Sequence, residues 1–236
     1  MATHKAHLGA RPSQVTTEAL TGLRKLGLGG ERDSYLFVPD SYTAQTPLPL
    51  VLLLHGAGGH AHDGLRVLLH LAEQNGLILV APASRSATWD IIANRTYGPD
   101  VELIDRTLKH VFAKYAVDTT HLAIGGFSDG ASYALSLGLA NGELFTHILA
   151  FSPGFIGPVE AQGEPKVFIS HGTADTVLPI APCSRRIVRD LRAAEYNVMV
   201  DEFEGGHVIP PEVAQFAVNW FTDKLDQGVA GHAGDR

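Results

Sequence analysis

Short apolar runs alternate with longer segments of mixed polarity along most of the chain. Apolar runs bounded by turn residues are typical of strands buried in a parallel sheet, and segments of helical period are typical of the helices that cover such a sheet. The alternation predicts an α/β fold, with a mostly parallel central sheet and helices on both faces. Predicted strands are 48–55, 77–81, 121–125, 147–151, 166–170 and 197–203, and predicted helices are 64–75, 100–115, 129–141, 181–195 and 211–224.

The two ends of the chain depart from this pattern. Residues 1–17 form a polar segment, and the strand-like runs 20–26 and 34–38 that follow predict an antiparallel pair at the sheet edge. Residues 227–236 contain glycine and histidine and predict a flexible tail. A length of 236 residues and a hydrophobic content of 45% suit one domain, which we place at 18–226.

The segment Gly126-Phe127-Ser128-Asp129-Gly130 lies where a predicted strand passes into a predicted helix. A glycine two residues to either side of a serine is needed where this turn is too tight for side chains, and the turn lifts the serine hydroxyl away from the sheet. The chain holds 25 glycines, so the five-residue pattern alone also fits chance. A base, an acid and an oxyanion hole at suitable places would make Ser128 a nucleophile.

Two further strand ends supply an acid and a base. Asp175 follows the strand at 166–170, and His207 follows the last strand at 197–203. Loops at the carboxyl ends of parallel strands meet at one sheet edge, so we expect these side chains to converge with Ser128. A serine hydroxyl becomes a good nucleophile when an imidazole accepts its proton and a carboxylate orients that imidazole. The sequence therefore predicts a Ser128–His207–Asp175 triad.

Other acidic and histidine residues compete for these roles. Asp201 and Glu202 lie inside a predicted strand, where a carboxylate would point sideways or into the core. His55 and His171 also end strands, but neither follows the acid in the chain. We interpret both as structural groups that hold adjacent loops by hydrogen bonds.

A glycine-rich loop follows the first predicted parallel strand. Its sequence, residues 55–59, has few side chains, so main-chain N–H groups can approach a substrate oxygen. We predict that the Ala57 and Asp129 N–H groups form an oxyanion hole; the alternative is a glycine turn without a ligand. For the Asp129 side chain we predict a structural role, folded toward the free N–H groups at the start of its helix.

Composition excludes several other classes of function. The net charge is −7, and no basic run interleaved with aromatic residues exists to follow a nucleic acid backbone. The lone Cys183 excludes an internal disulfide, and the histidines show no metal-site spacing. The start of the chain lacks a signal-peptide core and no apolar stretch is long enough to span a membrane, so we expect a cytoplasmic protein. No cofactor or metal is required.

Two loops bear on the substrate. The connection 151–164 is too short to hold an inserted helical layer, so we predict a shallow site, open to solvent, that bulky or polymeric substrates could reach. The long loop 82–99 is of a length that is often functional, and whether it acts as a lid stays open. We predict an apolar substrate pocket, with ordinary packing as the alternative for each member. Its predicted members are Trp89, Ile91, Ile92, Phe127, Phe155, Ile156, Leu178 and Val208.

Four blocks of sequence together resemble the alpha/beta-hydrolase superfamily. Within it, the chain resembles the small carboxylesterases and phospholipase-type esterases, near acyl-protein thioesterases and polyhydroxybutyrate depolymerase-like proteins, over about residues 32 to 222. The glutamine that usually follows the serine in acyl-protein thioesterases is Asp129 here. The matching blocks are Leu52-Leu53-Leu54-His55-Gly56-Ala57-Gly58-Gly59, Gly126-Phe127-Ser128-Asp129-Gly130-Ala131-Ser132, residues 170–179 and Gly205-Gly206-His207-Val208-Ile209-Pro210.

This resemblance and the predicted triad imply a serine carboxylesterase that acts through an acyl-enzyme intermediate. The same machinery serves a thioesterase or a lysophospholipase-type acyl hydrolase, and a noncatalytic ligand-binding protein on the same fold is an alternative of a different class. The implied partner is a small-molecule or polymeric ester. The natural substrate and the oligomeric state, a homodimer among the options, stay open.

Overall fold

The computed structural model describes residues 6–15 and 19–225, and within them eight strands form one sheet. The strand order is β1-β2-β4-β3-β5-β6-β7-β8. β1 and β2 are antiparallel at one edge, as predicted, and the strands from β4 to β8 are parallel. The strands are β1 Gly22–Lys25, β2 Tyr35–Val38, β3 Leu48–Leu54, β4 Ile78–Ala81, β5 Val117–Phe127, β6 His147–Phe151, β7 Lys166–Gly172 and β8 Val198–Phe203.

Helices connect the parallel strands, except between β6 and β7, and confirm the predicted α/β architecture. Among the described helices, none combines the length and apolar character needed to cross a bilayer. The helices are α1 Ala61–Arg66, α2 Leu69–Asn75, α3 Asp90–Ala93, α4 Pro99–Phe112, α5 Asp129–Ala140, α6 Arg186–Ala193 and α7 Pro211–Phe221, and a π-helical turn, Ala181–Arg185, precedes α6.

Three helical features differ from the prediction, the first being the π-helical turn at the start of the helix expected at 181–195. The helix expected at 64–75 is broken, because the N–H groups of Val67 and Leu68 donate to carbonyls three residues back and the fully buried Leu68 has a non-helical backbone (φ −127°, ψ 0°). The short helix α3 was not predicted, since four residues are too few to show a helical period.

The core has one layer on each face of the sheet. Along β3, Leu50, Leu52 and Leu54 pack against α4 and α5, while the alternate residues Val51 and Leu53 pack against α1, α2 and α7. All five side chains are fully buried. Each contributes about 1.5–3 kcal/mol of hydrophobic stabilisation relative to exposure, and this double coverage explains why the parallel strands lack an alternating polar face.

Part of the N-terminal segment packs on the domain. Ala6, Leu8 and Ala10 are buried, and the Asn141 side chain bonds the Leu8 N–H at 2.8 Å and the Ala6 carbonyl at 2.8 Å. The division of the chain at residue 18 stays a prediction. The predicted tail, 227–236, lies outside the described residues.

The connection between β6 and β7 runs from 152 to 165, and this wholly described segment contains no helix. This connection therefore adds no helical layer over the carboxyl ends of the neighbouring strands.

Candidate active site

The turn between β5 and α5 holds Ser128 in a strained conformation. Its backbone has φ 57° and ψ −120°, a region that residues other than glycine rarely adopt. The turn is pressed against β3, since a Cβ added to Gly130 would lie 2.1 Å from the Leu54 carbonyl oxygen. The Ser128 N–H donates to the Phe151 carbonyl at 2.9 Å, which anchors the turn to β6. The serine side chain is thereby presented above the sheet, as the glycine spacing predicts.

The structure brings the three predicted triad side chains together. His207 Nε2 lies 2.9 Å from Ser128 Oγ, and His207 Nδ1 lies 2.6 Å from Asp175 Oδ2. With a carboxylate at Nδ1, that nitrogen carries the proton and Nε2 is free to accept from the serine hydroxyl. The ring of Phe127 packs beside the imidazole, with 4.7 Å between ring centroids.

The Asp175 carboxylate is buried and held as an anion. Burial acts to raise the pKa of Asp175, but donation by Leu178 N–H, the His207 ring and Val177 N–H outweighs it and keeps that pKa below its ordinary value. The two N–H groups lie 2.9 and 2.8 Å from Oδ1. The acid therefore stays ionised and accepts from the imidazole at neutral pH.

His171 touches the same carboxylate from the other side. Its Nε2 lies 3.2 Å from Asp175 Oδ2 and 2.7 Å from the Leu178 carbonyl, and its Nδ1 bonds Ser184 Oγ. Burial, first of several causes, lowers the pKa of His171. The predicted loop-holding role agrees with these bonds. The contact between His171 and Asp175 was not predicted. Its signal in the sequence is the spacing of four residues between these two side chains at the end of β7.

The glycine-rich loop after β3 carries an unused main-chain donor at Ala57. In the described part of the chain, no acceptor lies within hydrogen-bonding reach of the Ala57 or Asp129 N–H. The Gly56 carbonyl accepts from His55 Nδ1 at 2.7 Å and from the Gly59 N–H at 3.1 Å. Because a trans peptide points its C=O and N–H in opposite directions, these bonds turn the Ala57 N–H away from the loop.

His55 is fully enclosed beneath this loop, in the structural role predicted for it. Its Nε2 accepts from the Ser84 N–H at 3.0 Å, which together with the Gly56 bond fixes one neutral tautomer. Burial, the largest cause, lowers the pKa of His55 and favours that neutral form.

The prediction that Trp89 lines the substrate pocket is wrong. Its side chain is fully buried, its Nε1 donates to the His55 carbonyl at 2.9 Å, and its ring stacks on Tyr133 at 5.0 Å. The apolar character of a residue does not distinguish a pocket wall from a core side chain. Here the indole N–H donates to a buried main-chain carbonyl. Ile91 is buried with it.

The other predicted substrate residues do not all line one cleft. Phe127 and Val208 line a cleft of about 500 Å³ beside His207, between α1 and α7, together with Asp63 and Arg66. Leu178 lies instead beside Gly154, 3.4 Å from the position of a Cβ there. Phe155 and Ile156 are half-buried and, like Leu178, are not part of that cleft.

The Asp129 side chain has a different partner from the one predicted. Its Oδ2 accepts from Thr88 Oγ1 at 2.6 Å, whereas among the described residues it makes no bond to the N–H groups of its own helix. The partner comes from the 82–99 loop, 41 residues away in the chain, so no local pattern could have predicted it.

The arrangement can take a proton from a hydroxyl and stabilise a negative oxygen. The Ser128 hydroxyl, the imidazole and the carboxylate form one hydrogen-bonded series, and the Ala57 and Asp129 N–H groups have no acceptor in the described chain. Among the described residues, no group of three or more metal-ligating side chains is gathered at one place.

Comparison with known proteins gives both a family and a fold. The Phospholipase/Carboxylesterase family model matches residues 98–225. A protein of Aspergillus flavus named probable feruloyl esterase C is 34% identical over 179 residues, and the match covers 72% of this chain and 62% of that protein. The chain thus spans less than two thirds of the length of that relative.

Solved structures share the fold at low sequence identity. A ferulic acid esterase from Anaeromyces mucronatus, in complex with ferulic acid, has a TM-score of 0.62 and 20% identity, and the match covers 92% of this chain and 97% of that one. An S-formylglutathione hydrolase from Staphylococcus aureus has a TM-score of 0.68 and 15% identity, with 87% and 98% covered.

Proposed function

Because this chain belongs to the phospholipase/carboxylesterase family, we propose that it is a serine carboxylesterase. The observation that carries the proposal is the hydrogen-bonded series from Asp175 through His207 to Ser128, beside two main-chain N–H groups that have no acceptor in the described chain. Family membership supports the reaction class, and the geometry supports the assignment of roles to residues.

The proposed reaction proceeds by acyl transfer through the enzyme. His207 takes the hydroxyl proton as Ser128 Oγ attacks the ester carbonyl, and Asp175 stabilises the imidazolium. The N–H groups of Ala57 and Asp129 donate to the oxyanion; loss of one such donor typically costs about 3–4 kcal/mol of barrier stabilisation. His207 then protonates the leaving alcohol, and a water deprotonated by the same imidazole releases the acid.

The substrate class proposed first is an ester of an aromatic hydroxy acid. A relative named as a probable feruloyl esterase supports this choice, and Phe127 and Val208 supply apolar surface beside the imidazole. Phe155 and Leu178, which lie outside this cleft, remain proposed substrate contacts. Aliphatic esters, thioesters and lysophospholipids are the alternatives, and the cytoplasmic location stays a prediction.

The test measures turnover of methyl ferulate, p-nitrophenyl acetate, p-nitrophenyl butyrate, an acyl thioester and a lysophospholipid by the wild-type protein and by Ser128→Ala. We expect ester turnover by the wild type and a loss of about 10⁶-fold in kcat for the variant. A fluorophosphonate probe should label the wild type and leave Ser128→Ala unlabelled. Ser41→Ala, at an exposed position outside the site, is the control.

Each contrary outcome has a distinct meaning. Preferred cleavage of the thioester or the lysophospholipid would overturn the carboxylesterase assignment in favour of that acyl hydrolase. Binding of these esters without any turnover would support the noncatalytic alternative. Full turnover by a folded Ser128→Ala variant would refute the mechanism itself.

A further inference from the structure

We infer that Thr88 is a positioning residue for the oxyanion hole: its loop joins the two halves of that hole, and the Thr88–Asp129 hydrogen bond holds them in register. The inference rests on the proposed function and deepens it. The two donors come from separate elements, Ala57 from the loop after β3 and Asp129 from the start of α5. An oxyanion hole whose two N–H donors come from separate elements requires a contact that fixes one donor relative to the other.

The dipeptide Ala87-Thr88 contacts both parts. The Ala87 carbonyl accepts from the Gly58 N–H at 2.6 Å, which fixes the peptide that follows Ala57. Thr88 Oγ1 donates to Asp129 Oδ2 at 2.6 Å, which fixes the residue that carries the second N–H. Two adjacent residues of one loop therefore set the separation of the two donors.

The loop that carries this dipeptide is itself firmly anchored. The buried Asp100 carboxylate accepts from the Arg85 N–H at 2.6 Å and from the Asp90 N–H at 2.7 Å, and so closes the segment that contains Ala87 and Thr88. Asp90 in turn accepts from the Tyr133 hydroxyl on α5 at 2.8 Å. The segment is thus tied at both ends and linked to the helix that follows Ser128.

The bond also accounts for a carboxylate at position 129. An unrestrained negative group next to the forming oxyanion would oppose its charge. A hydroxyl donor at 2.6 Å holds the Asp129 side chain toward the 82–99 loop, while the N–H of the same residue stays without an acceptor in the described chain. The side chain therefore acts as an anchor and the main chain as the donor.

The test replaces the hydroxyl of Thr88 while keeping its shape. Thr88→Val should lower kcat about tenfold with little change in KM, because a small misplacement of donors weakens transition-state stabilisation more than substrate binding. Thr88→Ser restores the hydroxyl and should recover kcat to within about twofold. The control is Thr96→Val, since Thr96 lies in the same loop and, within the described chain, its hydroxyl bonds only the Tyr97 carbonyl, at 3.3 Å.

A second measurement separates positioning from general damage. The affinity for a trifluoromethyl ketone, which forms an oxyanion on the serine, should fall with kcat/KM in Thr88→Val. Asp129→Ala should lower kcat by a similar factor, and the double variant should be no worse than either single one, because both changes break one bond.

The outcomes are decisive for this inference alone. Wild-type kcat in Thr88→Val, an equal loss in Thr96→Val, or additive losses in the double variant would each overturn it. Absence of ester turnover by the wild type would instead overturn the proposed function.

Discussion

Two aspartate–histidine pairs lie at opposite ends of the strands of the same sheet. At the carboxyl edge, Asp175 contacts His207 Nδ1 at 2.6 Å; toward the amino end of β5, Asp118 contacts His121 Nδ1 at 2.7 Å. Both carboxyls have a lowered pKa, because hydrogen-bond donors outweigh the burial that acts to raise it. The pairs are therefore nearly identical in distance and in the ionisation of the acid.

They differ in what the second imidazole nitrogen meets. His207 Nε2 faces the Ser128 hydroxyl, whereas His121 Nε2 faces a second carboxylate, Asp223, at 3.1 Å. The His121 imidazole lies between two carboxylates, so its Nε2 faces an acceptor rather than a hydroxyl from which it could take a proton, and the ring joins β5 to the segment after α7 instead. An aspartate–histidine pair thus becomes a candidate for catalysis only through its third partner.

The largest difference in kcat is expected between substitutions of the two aspartates, Asp175 and Asp118. Asp175→Asn should lower kcat about 10⁴-fold, because an amide stabilises the wrong imidazole tautomer and cannot offset its positive charge. Asp118→Asn is the matched substitution at the other pair and should leave kcat within about twofold. Steady-state kinetics with p-nitrophenyl butyrate measure both. Equal losses of kcat in the two variants would mean that Asp175 affects activity through the stability of the fold rather than through the His207 imidazole.

A smaller effect is expected at the histidine behind the acid. His171→Leu removes the donor to the Leu178 carbonyl, so the loop that bonds Asp175 should loosen, and kcat should fall about tenfold. The free energy of unfolding should fall by about 1–3 kcal/mol, because the partly buried Leu178 carbonyl loses its partner. His171→Gln, which carries an amide donor, should recover part of both losses. Unfolding in urea and kcat are measured on the same samples, and a wild-type kcat in His171→Leu would refute the role.

The smallest effect concerns stability at the amino edge, where His147 stacks on His121. Burial first, then Lys166 and His121, lower the pKa of His147 to about 4, with Asp223 acting in the opposite direction. Among the described groups, the buried Nε2 atom of His147 has no hydrogen-bond partner. The folded protein therefore resists protonation of this ring.

The unfolded chain takes up that proton near pH 6.5, so the stability due to neutral His147 is present above pH 6.5 and is lost as pH falls toward 4. His147→Phe should flatten the decline of Tm over this range by a few degrees and leave kcat at pH 7 unchanged. Thermal unfolding at several pH values checks this. An unaltered slope would mean that other groups carry the acid sensitivity.

Sequence predicted the fold and the triad because both follow from local pattern plus topology. Runs such as 147–151 are buried on both faces, and parallel strands bring their carboxyl ends to one edge, so Ser128, Asp175 and His207 could be placed together without coordinates. These inferences need only the order of elements along the chain.

What could not be predicted depends on partners distant in sequence. In the sequence, Trp89 fits a pocket wall and a core position equally well. The hydrogen bond from its indole N–H to the His55 carbonyl, which decides for the core, is seen only in the structure. Thr88 has no distinguishing neighbours in the chain, and its bond to Asp129 exists only because the 82–99 loop folds over the start of α5. The break before α2 lies at the buried Leu68, whose backbone is non-helical although leucine is not a helix-breaking residue.

In the proposed reaction, the helix-free connection 152–165 bears on the fate of the acyl group carried by Ser128. Because this connection adds no helical layer over the serine, we expect water to reach the acyl-enzyme and to compete with any other acceptor. Transesterification to added alcohols should therefore be a minor path, and ester synthesis in this direction should require a medium of low water activity.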